Sequence, residues 1–149
     1  SENIAWNLTR GSADVFVAVI DAGLDWELDE FALDDGIDVV ANNTADEWDP
    51  WNNPNYDGID QDDNGFVDDY KGWDFNNITQ PYNVESEDND VRPNYDELWH
   101  GNAIAGIIAA KTNNGNDIAG MAGGDVENNE HGVKIMPLKV MDYEYDSYS

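Results

Sequence analysis

The chain has 149 residues and a formal net charge of −27, from 33 acidic side chains against six Lys and Arg. So anionic a surface repels phosphate backbones and anionic lipid, which argues against nucleic acid and membrane surfaces as partners. With 40% hydrophobic residues, six Trp and seven Tyr it can still pack one modest domain or part of a larger one, and the absence of Cys rules out a disulfide framework and thiolate chemistry.

The chain opens on Ser1 without a signal-peptide pattern, so its start is expected to be processed or engineered. Residues 1–13 read as an N-terminal arm anchored by Trp6. Residues 15–20 (Val-Phe-Val-Ala-Val-Ile) form a continuous, mostly β-branched apolar run. That pattern predicts a strand buried on both faces of a parallel sheet, ended by Asp21-Ala22-Gly23. This run and residues 104–110 are the longest apolar stretches, and both are far too short to cross a bilayer. Residues 24–35 read as loop or short helix, and 37–40 as a second short strand.

Residues 42–92 differ in kind: Asp, Asn, Gly and Pro dominate, with isolated Trp, Tyr and Phe and no helical period. The stretch reads as a long acidic loop insertion, and a loop of that length in a compact domain is functional or ordered by metal. Its aromatics, Trp48, Trp51, Tyr56, Trp73 and Phe75, read as small satellite cores under the loop. Residues 100–111 (His-Gly-Asn-Ala-Ile-Ala-Gly-Ile-Ile-Ala-Ala-Lys) predict a buried helix whose small side chains let neighbouring backbone come close. Thr112-Asn-Asn-Gly115 closes it with turn chemistry. After a Gly-rich loop, residues 133–140 predict another strand, and the tail from Asp142 is polar and aromatic. Strand, helix and strand together predict an α/β fold built on a parallel sheet. Asn-x-Thr sequons at Asn7, Asn42 and Asn77 are weak pointers to a glycosylated exterior. His131, beside Glu127 and Glu130, reads as a surface residue.

Two residues stand where chemistry is expected. Asp21 follows a buried strand, and open parallel sheets gather their reacting groups at strand carboxyl ends. His100 opens the helix of small residues. A Ser-His-Asp system needs such a pair, the Asp orienting the imidazole and the His moving the proton. The plainer alternative is a strand-end or capping Asp and an unremarkable helix-start His.

Asp60-Gln-Asp62-Asp-Asn64-Gly65-Phe66-Val-Asp68 offers oxygen ligands at alternating positions and a Gly for a sharp turn. That is the logic of a calcium loop, with side-chain oxygens from Asp60, Asp62, Asn64 and Asp68 and the carbonyl of Phe66. Lys71 stands where an EF-hand has its bidentate Glu, so Asp57 or Asp69 is expected to complete the shell. The plainer alternative is a solvated acidic loop.

Residues 15–25 (Val-Phe-Val-Ala-Val-Ile-Asp-Ala-Gly-Leu-Asp) resemble the Asp motif of the subtilases, the subtilisin-like serine peptidases, usually written with Asp-Thr-Gly or Asp-Ser-Gly. Residues 100–110 resemble the family's His motif, usually His-Gly-Thr-His-Val-Ala-Gly, and residues 113–122 and 133–142 are similar to the loop and strand that follow it. Gly72-Trp-Asp-Phe75 is similar to a sequence that follows Asp-rich loops in several subtilase branches. The resemblance covers nearly the whole chain as the N-terminal half of a catalytic domain, with Asp21 and His100 at its catalytic positions. Ala22 replaces the usual hydroxyl residue, and Asn102 and Ala103 the usual Thr-His. The family's Gly-Thr-Ser nucleophile motif and oxyanion-hole Asn are absent, so this chain alone is expected not to hydrolyse peptides.

The resemblance also implies a second calcium (Ca2+) site after the helix, from the Asn114 side chain and the carbonyls of Thr112, Asn116 and Ile118. Helix capping by Asn113 or Asn114 is the alternative. Two functions follow as expectations. The first is a segment of a secreted, calcium-dependent serine endopeptidase acting on peptide substrates, completed by the C-terminal half of its own domain. The second is a non-catalytic calcium-binding module that covers its apolar faces by self-association.

Overall fold

The computed structural model describes residues 5–25, 58–60, 63–69, 71–76, 79–80, 83–84, 87–93, 100–115 and 118–141. The strand expected at 37–40, most of the loop or helix expected at 24–35, and the tail from Asp142 lie outside them, as do Asp57, Asp62 and Asn116 of the expected ligand sets.

A three-stranded parallel sheet forms the centre: β1 (Phe16–Asp21) and β2 (Trp73–Asp74) flank β7 (Lys134–Lys139) in the order β1-β7-β2. Two small antiparallel pairs lie outside it, β3 (Thr79–Gln80) with β4 (Asn83–Val84) and β5 (Gly124–Asp125) with β6 (Glu130–His131). Parallel neighbours need a crossover, and α1 (His100–Ala109) lies between β2 and β7 along the chain. This parallel sheet with its helix is the expected α/β architecture.

Pro137 in the central strand needs an explanation, because Pro cannot donate to a ladder. Lys134 N–H donates to the Val15 carbonyl and Val140 N–H to the Asp21 carbonyl, each at 2.9 Å, so even-numbered positions of β7 bond β1. Odd-numbered positions face β2, and the Phe75 N–H to Lys139 carbonyl bond of 2.8 Å lies on that side. Pro137 therefore turns its missing donor toward the short strand, below the start of β2.

One face of the sheet holds the core. Val19, Leu24, Ala105, Ala109, Val133 and Ile135 are buried together, with Val17, Ile104, Ile108 and Ala122 packed around them. Gly101, Asn102, Ala105, Gly106 and Ala109 form the buried stripe of α1. The helix's last carbonyls are satisfied by a returning loop: Gly120, Met121 and Ala122 N–H donate to Ala110, Ile107 and Ile108, each at 2.8 Å. This close approach is what the small residues of the helix provide.

The other face differs from expectation. Phe16, Ala18 and Ile20 on β1 are exposed, Ile20 to 61%, so β1 is buried on one face and not on two. The reason is geometric: α1 packs on the side of Val19 and Ile135, and β1's exposed residues point the opposite way. The acidic stretch, read as loop alone, contributes β2 to the sheet. A bridge between Asp74 and Asp88, and a 2.9 Å bond from Leu24 N–H to the Val91 carbonyl, carry it across the strand ends to the turn after β1.

Candidate active site

Asp21 ends β1 with its carboxylate on the buried face, in phase with Val19. Its Oδ1 accepts the Ala22 N–H at 2.8 Å, which fixes the carboxylate plane. Its Oδ2 lies 2.8 Å from His100 Nδ1. A carboxylate only accepts, so Nδ1 carries a proton, and Nε2 is the ring nitrogen left to face a reactant. The Asp21 side chain is 7% exposed and the His100 side chain 67%. The buried member therefore orients and the exposed member can reach a reactant.

Close backbone contact makes the pairing possible. A Cβ on Gly101 would run into the Gly23 carbonyl oxygen, so no larger residue can follow His100 at this spacing. Asn102 joins the same two segments. Its Oδ1 accepts the Asp25 N–H at 3.0 Å and its Nδ2 donates to the Asp25 carbonyl at 2.9 Å.

Beneath the pair, register sets Asp21, Lys139 and Asp74 side by side on three adjacent strands. Lys139 Nζ lies 2.6 Å from Asp74 Oδ2, with side chains 2% and 6% exposed. This ion pair and the Asn102 contacts lie outside the expectations drawn from the sequence. A signal for the first existed, because Lys139 is in phase with Ile135 and Pro137, the buried positions of β7. Nearby, the Arg92 guanidinium grips the Asp90 carboxylate at 2.8 and 2.6 Å, and that hydrogen bonding holds the Asp90 pKa below its ordinary value.

The subtilase family model matches residues 12–145. The chain belongs to the subtilase family. It is also similar to a protein named "Extracellular basic protease" from Dichelobacter nodosus, 29% identical over 93% of this chain and 19% of the relative. The subtilase chain thus spans about a fifth of that relative's length.

In the acidic loop of this subtilase chain, Asp60 folds the backbone around itself. Its Oδ1 accepts the Asn64 N–H at 3.1 Å and its Oδ2 the Gly65 N–H at 2.7 Å. Gly65 takes φ +97°, the turn for which the sequence reserves a glycine. Asn64 Oδ1 accepts the Phe66 N–H at 2.8 Å, and Asp68 Oδ2 accepts the Gly58 N–H at 3.0 Å. Among the described residues, Asp68 Oδ1 is buried with no hydrogen-bond partner. Phe66 packs on Trp73 and Phe75 with ring centroids 5.0 and 5.7 Å apart, a half-exposed aromatic cluster, while Trp48, Trp51 and Tyr56 lie outside the described residues.

The Thr112 carbonyl accepts the Val126 N–H at 3.0 Å, and Thr112 Oγ1 donates to the Gly124 carbonyl at 2.6 Å. Asn114 is half-buried, Ile118 is exposed, and Asn113 takes the left-handed φ of +60° past the helix end. His131 is exposed on β6. Among the described residues, no helix is long and apolar enough to cross a membrane.

Proposed function

We propose that the chain is the Asp- and His-bearing part of a secreted, calcium-dependent serine endopeptidase, whose Ser and oxyanion-hole Asn come from the rest of the domain. The observation that carries this is the 2.8 Å Asp21–His100 contact with the imidazole open to solvent. His100 Nε2 takes the proton of an incoming Ser hydroxyl as the oxygen attacks the peptide carbonyl. Asp21 holds the tautomer and stabilises the imidazolium, and Nε2 then protonates the leaving amine. Secretion is supported by the similarity to a protease described as extracellular.

Calcium is the cation proposed for the acidic loop, held by oxygens of Asp57, Asp60, Asp62, Asn64, Phe66 and Asp68. An orphaned buried carboxylate oxygen costs free energy, and Asp68 Oδ1 is such an atom, so a hard cation suits the donor set. Bound there, calcium would supply structural charge neutralisation. The second proposed site, at Thr112, Asn114, Asn116 and Ile118, has weaker support because the Thr112 carbonyl already accepts a backbone N–H.

The remainder of the domain is proposed to cover the exposed side of β1 at Phe16, Ala18 and Ile20. The same face favours a second reading, a self-associating, non-catalytic module. Intact-mass spectrometry of native material, with labelling by a fluorophosphonate probe, separates the two. A covalently continuous or companion polypeptide whose Ser is labelled, with labelling lost in His100→Ala, supports the peptidase. A lone, self-associated, unlabelled chain sinks it. In subtilisin the loss of the triad His costs about 10⁶ in kcat, so the expected loss is near complete.

A further inference from the structure

Asn102 sits where subtilases usually carry Thr, two residues after His100, and its side chain is directed at the turn that follows Asp21. The residue is 3% exposed. A carboxamide places one acceptor and one donor on a rigid planar edge, and Asn102 matches both to one residue's backbone, at 3.0 Å to the Asp25 N–H and 2.9 Å to its carbonyl. The amide orientation is dictated by these partners, because the flipped amide would set donor against donor and acceptor against acceptor. Each bond alone fixes a distance. Two from one plane also fix the rotation of the helix start relative to the turn, which a single Thr hydroxyl oxygen does less rigidly.

The residues joined in this way flank the reacting pair. Asp25 lies four residues past Asp21, in a turn whose Leu24 is fully buried and bonded to Val91. Asn102 lies one helical half-turn past His100, with Gly101 against the Gly23 carbonyl between them. Burying a carboxamide costs free energy unless both ends are satisfied, and here both are. We infer that Asn102 is a positioning residue of the catalytic pair: its two-point bond to Asp25 sets the separation and angle of Asp21 and His100. It touches neither substrate nor reacting atom, and its effect passes through His100.

This inference rests on the peptidase reading, so its test carries one readout that needs turnover and one that does not. Both use the polypeptide that joins this chain to its Ser-bearing remainder. The first is steady-state kinetics on a peptide substrate. Asn102→Ala lowers kcat by roughly 10- to 100-fold, the effect of a misplacement of up to ~1 Å, with KM little changed. Asn102→Thr, which keeps one of the two bonds, recovers part of the loss. The second is the low-field proton NMR signal of the His100 Nδ1–H bonded to Asp21, which is present in the parent and exchange-broadened or lost in Asn102→Ala. An Asn102→Ala protein with a lowered melting temperature but unchanged kcat and an intact low-field signal overturns the inference. If Asn102→Ala does not fold, the same criteria apply to Asn102→Thr: parental kcat and an unshifted signal overturn it. An inactive parent that still shows the low-field signal refutes the peptidase reading alone, and the response of that signal to substitution then decides the role of Asn102.

Discussion

Asp125 shows how one buried carboxylate organises a loop. Asn128 donates to it through its side chain at 2.8 Å and its backbone at 3.3 Å, Arg10 pairs with it, and the Gly124 N–H reaches back to the Arg10 carbonyl at 2.8 Å. Hydrogen bonding from the Asn113 side chain, then from Asn128, with the Arg10 charge, holds its pKa below the ordinary 3.8. The unfolded chain therefore takes up this proton first. Stability from Asp125 is present in full above pH 3.8 and is lost as pH falls through the lower folded value. Asp125→Asn should melt lower than the parent near neutral pH, and the gap should close on acidification below 3.8. A gap independent of pH would assign the residue a steric role. His100 and Asp21 belong to this scale too, since one 2.8 Å contact fixes the orientation of the His100 ring.

At the scale of elements, β7 does more than bridge two strands. It ends on Lys139, whose ammonium is buried against Asp74 of β2. A buried pair is weak support for stability, but breaking it leaves one charge in a low-dielectric site. Lys139→Met should cost about 3–5 kcal/mol in denaturant unfolding, whereas adding Asp74→Leu should recover most of that loss. Equal losses in the single and double variants would show that packing of the Lys stem, and not the charge, is what matters. The helix follows the same rule of close fit. Its start must touch the Gly23 turn and its end must receive the 120–122 backbone, so its small residues are set by contact at both ends.

Across the whole molecule, 33 acids against six Lys and Arg make compaction an electrostatic problem. Any salt relieves part of it by screening. A site that binds calcium in the folded state alone adds a stabilisation that grows with free calcium. Calcium should therefore raise the melting temperature well beyond sodium at matched ionic strength, and Asp68→Asn should remove most of that excess. Equal effects of the two salts would leave screening as the whole explanation. The exposed apolar residues of β1 bear on the same scale, because Phe16 and Ile20 lie opposite the face that α1 covers.

The sequence by itself determined the main local elements and the family. An apolar run read as β1 and a stripe of small residues as α1, alternating oxygen donors suggested a calcium loop, and two motifs pointed to Asp21 and His100. These are properties of neighbouring residues, where backbone propensity and side-chain period act directly. Only the tertiary structure decided what is set by partners distant in sequence. It placed Trp73–Asp74 as a third parallel strand, although two residues carry no period, and it left one face of β1 open. It paired Lys139 with Asp74 and Asn102 with Asp25, contacts whose spacing along the chain obeys no rule. The reason is physical: a buried polar group needs a partner, but its own sequence does not say which distant strand or turn supplies one.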